Sequence, residues 1–378
     1  MKTAAEILID LVSIPSVSSM SNWPVIEHVL QYLDGSNWRT DVHSYRDEKG
    51  TEKVNLVAHT KSDFGESELA LVCHTDTVPF DAAWNEAVRP VCRDGRVYGR
   101  GSCDVKGFLA CVLRVVSQVD LAGLSRPLAV VFTADEEVGC IGAKYLASQN
   151  AFKSRYMIIG EPTGLAPVRA GKGYAMAEIT VRGKAAHSAF PAKGRSAIRD
   201  AARVLERLDN VAVKLASRTN SDFDPPFTTL NAGLIRGGSA KNIVPAECRI
   251  TVEWRPIPGQ DAAWAGTLIG EELEGLGREL PGFDAELQVT RLDPAFTPSE
   301  TCHLANLFES LTQRPSITVP FGTEATHLGS LTSEAIVFGP GDMTVAHRSG
   351  EFVPVEELRR CVAYLGAAIE QLCGTRCN

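Results

Sequence analysis

The chain has 378 residues, 44% hydrophobic and 22% charged, with 32 glycines and 20 prolines; this is ordinary globular composition and excludes disordered, collagenous and coiled-coil classes. The 46 acidic against 38 basic side chains leave a formal charge of −8, so nucleic acid and anionic membrane are poor partners. At this length two domains, or one domain inserted into another, are expected.

Residues 1–16 carry Glu6 and Asp10 inside their apolar stretch and read as an amphipathic helix rather than a signal peptide. Short apolar runs at 69–73, 128–132, 156–159 and 335–338 are rich in β-branched residues and read as strands buried on both faces. Helical spacing at 106–119 and 142–148 falls between them, so the fold class is α/β with a mostly parallel sheet. The middle of the chain changes character. Residues 174–181 alternate like a strand, 196–208 are helical, and 250–255 alternate again, which predicts an inserted α+β domain with one open sheet face. The expected catalytic domain is therefore 1–172 with 292–378, and the insert is 173–291, ending where Asp293-Pro294 and Pro298 mark a return loop.

No apolar run reaches the roughly 18 residues of a membrane span, and the longest candidate, 107–123, is broken by Arg114 and Asp120. A soluble protein is expected. The 10 cysteines contain no Cys-x-x-Cys pair, and in a chain of this size they read as thiols of a reducing cytoplasm.

In a parallel sheet the chemistry follows the carboxyl ends of the strands. His74 and Asp76 follow the first buried run, and a carboxylate so placed can orient an imidazole whose other nitrogen binds a metal. Asp104, expected like the others to follow a buried parallel strand, sits in a glycine-rich loop, Gly99 to Gly107, that leads into a helix. Asp135, Glu136 and Glu137 follow the second run, and three adjacent acids there repel one another unless a cation or solvent intervenes. Glu161 ends the third run and His347 follows the fourth. Each alone also suits a turn or a helix N-terminus, but all are expected to converge on one rim. Two imidazoles with three carboxylates suit a pair of divalent ions such as Zn²⁺, Co²⁺ or Mn²⁺, hence a two-metal hydrolase in which one spare carboxylate accepts a proton from water.

These segments, in this order and spacing, resemble the metal-dependent aminoacylase and carboxypeptidase family that includes acetylornithine deacetylase, succinyl-diaminopimelate desuccinylase and carboxypeptidase G. The resemblance spans about residues 5–375. It implies two Zn²⁺ ions in the catalytic domain, and an inserted lid domain through which two copies dimerise. It also implies that His74, Asp104 and Glu161 bind one metal and Asp104, Glu137 and His347 the other. Asp76 would orient His74, and Glu136 would be the general base. In the insert, His187 within Gly183 to Pro191 matches the lid histidine that donates to the developing oxyanion, in its own site or across the dimer. Asn242 and Arg255 match substrate-binding positions, and Arg255 could hold an α-carboxylate bidentately.

Three local matches, around Lys172, around Thr323 and Glu324, and around His347 with Glu351, resemble the acetylornithine deacetylase branch. They imply an N-acyl amino acid substrate, first N2-acetyl-L-ornithine in arginine biosynthesis, with Lys172, Thr323 and Glu324 at the substrate. Cys103 and Gly350 depart from the branch pattern. Acetylcitrulline, another N-acyl amino acid, succinyl-diaminopimelate or a dipeptide are alternative substrates, and a non-catalytic binding protein is the remote one.

Overall fold

The computed structural model describes residues 1–33, 37–60, 66–299 and 302–374. Its contacts divide the chain into two compact units, one of residues 1–169, 298–317 and 323–378, the other of 170–297 and 318–322.

The first unit opens with helices α1 (Ala4–Val12) and α2 (Trp23–Leu30), then strands β1 (Trp38–Arg46), β2 (Glu52–Thr60) and β3 (Ser67–His74). The short strands β4 (Val91–Arg93) and β5 (Arg96–Tyr98) precede helix α3 (Lys106–Val116). Strand β6 (Leu128–Thr133), helix α4 (Ile141–Gln149) and strands β7 (Ser154–Gly160) and β8 (Val168–Gly171) follow. In the second unit come β9 (Tyr174–Arg182), β10 (Ala186–His187), α5 (Ala197–Ala216), β11 (Thr229–Gly237), β12 (Ile243–Val244), β13 (Glu247–Arg255), α6 (Trp264–Glu279) and β14 (Asp284–Asp293). The chain ends with α7 (His303–Thr312), β15 (Ile317–Val319), α8 (Ala325–Leu328), β16 (Thr332–Phe338), β17 (Phe352–Pro354) and α9 (Val355–Cys373).

The large sheet has the order β1-β2-β6-β3-β7-β16-β8-β15. Its four central strands run parallel, with Leu69 opposite Leu128 and Tyr156, and Ile336 opposite Ile158. Alternate residues such as Leu69, Leu71, Val130 and Ile158 join one core with helices α1, α3 and α9. The residues between them, among them Ala70, Val72, Val131 and Ile159, are equally buried on the other face. Burial on both faces is why these strands read as continuous apolar runs, and each fully buried Leu, Ile or Val contributes about 1.5–3 kcal/mol of transfer free energy. Parallel pairing places the carboxyl ends of β3, β6, β7 and β16 on one rim.

One expectation is corrected. Asp104 follows β5, which belongs to a separate antiparallel sheet of order β17-β5-β4, not a buried strand of the main sheet. It reaches the rim through the glycine-rich loop, whose amides are held by Glu351 from the segment just before β17.

In the second unit, the antiparallel sheet β11-β13-β9-β14 turns Ala175, Ala177, Ile179, Val181, Ile250, Val252 and Trp254 into a core with α5 and α6. The period-two alternation of β9 and β13 reflects this one-sided burial. The edge strand β11 is largely exposed. No helix among the described residues is long and apolar enough to cross a membrane, and seven of the nine described cysteines are buried.

Candidate metal centre

His74 is the last residue of β3 and is buried. Its Nδ1 lies 3.0 Å from the backbone carbonyl of Asp76, and the Asp76 carboxylate stands farther off at 3.7 Å. With Nδ1–H given to that carbonyl, it is Nε2 that offers a lone pair to a metal once its proton is lost. That Nε2 lies 3.1 Å from Asp104 Oδ1. The Asp76 carboxylate is committed elsewhere. It accepts the Ser18 hydroxyl at 2.6 Å and the backbone amides of Glu136 and Glu137 at 3.1 and 3.4 Å.

The loop ahead of α3 presents Asp104. Glu351 Oε1 accepts the amides of Cys103 and Asp104 at 2.9 and 3.1 Å, and Glu351 is itself paired with the buried Arg100. Four residues before Glu351, His347 sits in the left-handed region at φ 59°, and its Nε2 lies 2.9 Å from Asp104 Oδ2 and 3.1 Å from Glu137 Oε2. His74, Asp104 and Glu137 offer ligand atoms that all lie within 4.8 Å of one another. Glu161 follows the glycine that ends β7; a side chain at Gly160 would overlap the Phe108 ring.

The electrostatics favour a cation. Burial opposes the ionised form of Asp104, yet its hydrogen bonds to His347 and His74 outweigh that and hold it well below the usual carboxylate range. Burial, then the Asp104 and Glu136 carboxylates, push Glu161 far upward. Burial, with Glu137 and Asp104 adding repulsion, pushes Glu136 up to about 8. Glu137 is raised by burial and Asp104. His347, hydrogen-bonded to Asp104 and Glu137, is raised to about 10. Glu136, Glu137 and Glu161, crowded with Asp104 in low dielectric, are pushed off their ionised forms unless a cation joins them, and the donor set of imidazole nitrogen and carboxylate oxygen fits divalent metal.

Thr323 and Glu324 precede α8 and are buried. Burial pushes Glu324 up to about 7. Neither of its oxygens has a hydrogen bond of normal geometry, although the Thr133 hydroxyl and the His74 charge stand close enough to oppose the shift. Cys73 and Cys103 are buried thiols pushed upward, first by burial, which disfavours nucleophilic cysteine chemistry.

The remaining candidates belong to the second unit. The two-residue ribbon of β10 and β12 pairs His187 with Ile243, beside Asn242, whose carbonyl accepts the Ser188 amide at 3.0 Å. His187 is exposed and its Nδ1 accepts the Ala189 amide at 3.1 Å. Arg255 lies 4.1 Å over the Tyr174 ring. Lys172 is buried, and its ammonium donates to the carbonyls of Pro225 and Phe227, each at 2.7 Å, so its donors serve a loop of its own unit.

Reading the sequence missed Ser18, Lys53 and Arg100, all buried around the site. Asp135 was legible only as one of three adjacent acids.

A mostly parallel α/β unit that gathers two imidazoles and several carboxylates on one rim is the frame of a metal-dependent hydrolase. Residues 70–371 match the profile of peptidase family M20/M25/M40. The chain is 45% identical to an acetylornithine deacetylase of Myxococcus xanthus over 98% of this chain and 97% of that one. It is 32% identical to that of Proteus mirabilis, with 98% and 97% covered. Among solved structures, aminopeptidase PepT from Bacillus cereus superposes with a TM-score of 0.76 at 22% identity, covering 98% of each chain. A dinuclear metal-binding M20 peptidase from Bacillus subtilis gives 0.71 at 13% identity, over 99% and 98%. The chain belongs to peptidase family M20/M25/M40, and it is a metal-dependent amidohydrolase.

Proposed function

We propose that the chain deacylates an N-acyl amino acid, N2-acetyl-L-ornithine first, releasing L-ornithine and acetate as a step toward arginine. The observation that carries this reading is the divergence of two adjacent glutamates. Glu137 lies 3.1 Å from His347 within the ligand cluster, whereas the Glu136 carboxylate accepts the Cys140 thiol at 3.4 Å. One is thereby placed as a ligand and the other is left for proton transfer. The resemblance to acetylornithine deacetylases along the whole chain supports the substrate.

His74, Asp104, Glu137, Glu161 and His347 would hold two divalent ions, Zn²⁺ first, with Co²⁺ or Mn²⁺ as substitutes and Asp104 shared. Bound there, the ions supply Lewis acidity toward the amide oxygen and make water more acidic. Glu136 takes a proton from water and returns it to the leaving nitrogen. Asp76 holds the Glu136 and Glu137 amides and, through its own carbonyl, the orientation of His74. His187 donates to the oxygen that gains charge, Arg255 pairs with the α-carboxylate, and Asn242, Thr323 and Glu324 take part in binding the substrate, the last attracting a side-chain ammonium. Lys172 would act on substrate binding through the Pro225 to Phe227 loop that it holds.

Residues 173–291 would form the lid and dimerisation domain of a homodimer. Support comes from β11, an edge strand with Leu234 and Ile235 about half exposed, the kind of surface a second copy covers. Cysteines scattered through the chain, most of them buried, suit a reducing cytoplasm. The test is a panel of Nα-acetylornithine, Nα-acetylcitrulline, Nα-acetylmethionine, N-succinyl-diaminopimelate and a dipeptide. The highest kcat/KM is expected for acetylornithine, and a lead by the dipeptide overturns the reading.

A further inference from the structure

Lys53, on β2, is 1% exposed, and none of the chemistry above uses it. Its ammonium donates to the carbonyls of Ser18 and Met20, the latter at 3.0 Å, and to Asp135 Oδ1 at 2.8 Å. Each of these segments also grips the Asp76 carboxylate. Ser18 does so with its hydroxyl at 2.6 Å, and the two residues after Asp135 do so with their amides. Asp135 occupies the left-handed region at φ 56°, a strained setting for a residue with a side chain. Its second carboxylate oxygen is held by the Tyr45 hydroxyl at 2.9 Å.

A buried ion pair is weak evidence for stability, because apolar side chains of the same volume serve as well. What an ammonium adds is direction, since its three donors must meet three acceptors in fixed places. We propose that Lys53 and Asp135 are positioning residues for the reaction, clamping the two segments that cradle Asp76 so that Glu136 and Glu137 diverge as base and ligand. This rests on the roles of Glu136 and Glu137 given above. The clamp acts through backbone placement, so its loss displaces Glu137 as a ligand and Glu136 as a base together.

Lys53→Met alone strands a buried carboxylate and puts the fold at risk. The decisive variant is therefore the double Lys53→Met/Asp135→Asn, which removes both charges. It is expected to unfold cooperatively, with kcat about ten- to hundredfold below wild type and KM within about threefold. The acid limb of its kcat–pH profile should be displaced and the visible spectrum of its Co²⁺ form altered. Asp135→Asn, which keeps an acceptor for Lys53, should recover part of the lost kcat. A folded double variant with wild-type kcat, pH profile and Co²⁺ spectrum overturns the proposal. So does a loss of rate that merely follows the unfolded fraction while the spectrum stays unchanged. A wild-type protein that binds Co²⁺ but hydrolyses no amide defeats the functional reading, and the Co²⁺ spectra of the two proteins then decide this proposal alone.

Discussion

His347 Nε2 lies 2.9 Å from Asp104 Oδ2, joining the loop after β16 to the loop ahead of α3. The other Asp104 oxygen faces His74 at 3.1 Å. One carboxylate with an oxygen toward each imidazole is what a ligand shared by two cations requires. Asp104→Ala should therefore abolish turnover and lower the metal content of the dialysed protein below that of wild type. A full metal complement in the variant contradicts a shared role.

Glu136→Gln keeps the shape of the side chain and removes its ability to carry a proton. It should bind metal as wild type does and lose about 10²- to 10⁴-fold in kcat. Metal analysis with steady-state kinetics checks this, and wild-type kcat would assign the proton transfer to another group.

Lys106 begins α3, is buried, and donates to the carbonyls of Leu11 and Ile14 at 3.1 and 2.8 Å. Burial lowers it from 10.5 to about 7. Between those values the unfolded chain holds a proton that the folded chain has lost, so stability rises with pH across that window. The slope from this group is at most about 1.4 kcal/mol per pH unit. Urea unfolding of the wild type between pH 7 and 9.5 should show a more positive slope than Lys106→Met, and equal slopes refute the assignment.

Glu324 is buried with its oxygens lacking hydrogen bonds of normal geometry. If it faces the side-chain ammonium of the substrate, Glu324→Gln should weaken acetylornithine more than Nα-acetylmethionine in kcat/KM. Equal losses for the two substrates rule out that pairing.

The centre was legible where burial on both faces wrote apolar runs into the chain. β3, β6, β7 and β16 are such runs, and His74, Glu136, Glu137, Glu161 and His347 follow them. Asp104 was legible as a residue but not by its route, because β4 and β5 are three-residue strands around a turn at Asp94 and Gly95. The polar alternation of β1 gave no apolar signal, since one side of that strand stays exposed. Lys53 was illegible because a lone lysine in a strand reads as a solvated face; only the fold brings Ser18, Met20 and Asp135 around it. Lys172 shows the converse, a motif residue whose charge is absorbed by two carbonyls that nothing in its neighbourhood announces.

The most direct test of the metal centre is amine release from Nα-acetyl-L-ornithine by the wild-type protein, followed through chelation and the return of Zn²⁺. Turnover that falls on chelation and recovers with Zn²⁺ is the predicted result. Turnover that survives complete removal of metal would contradict the account.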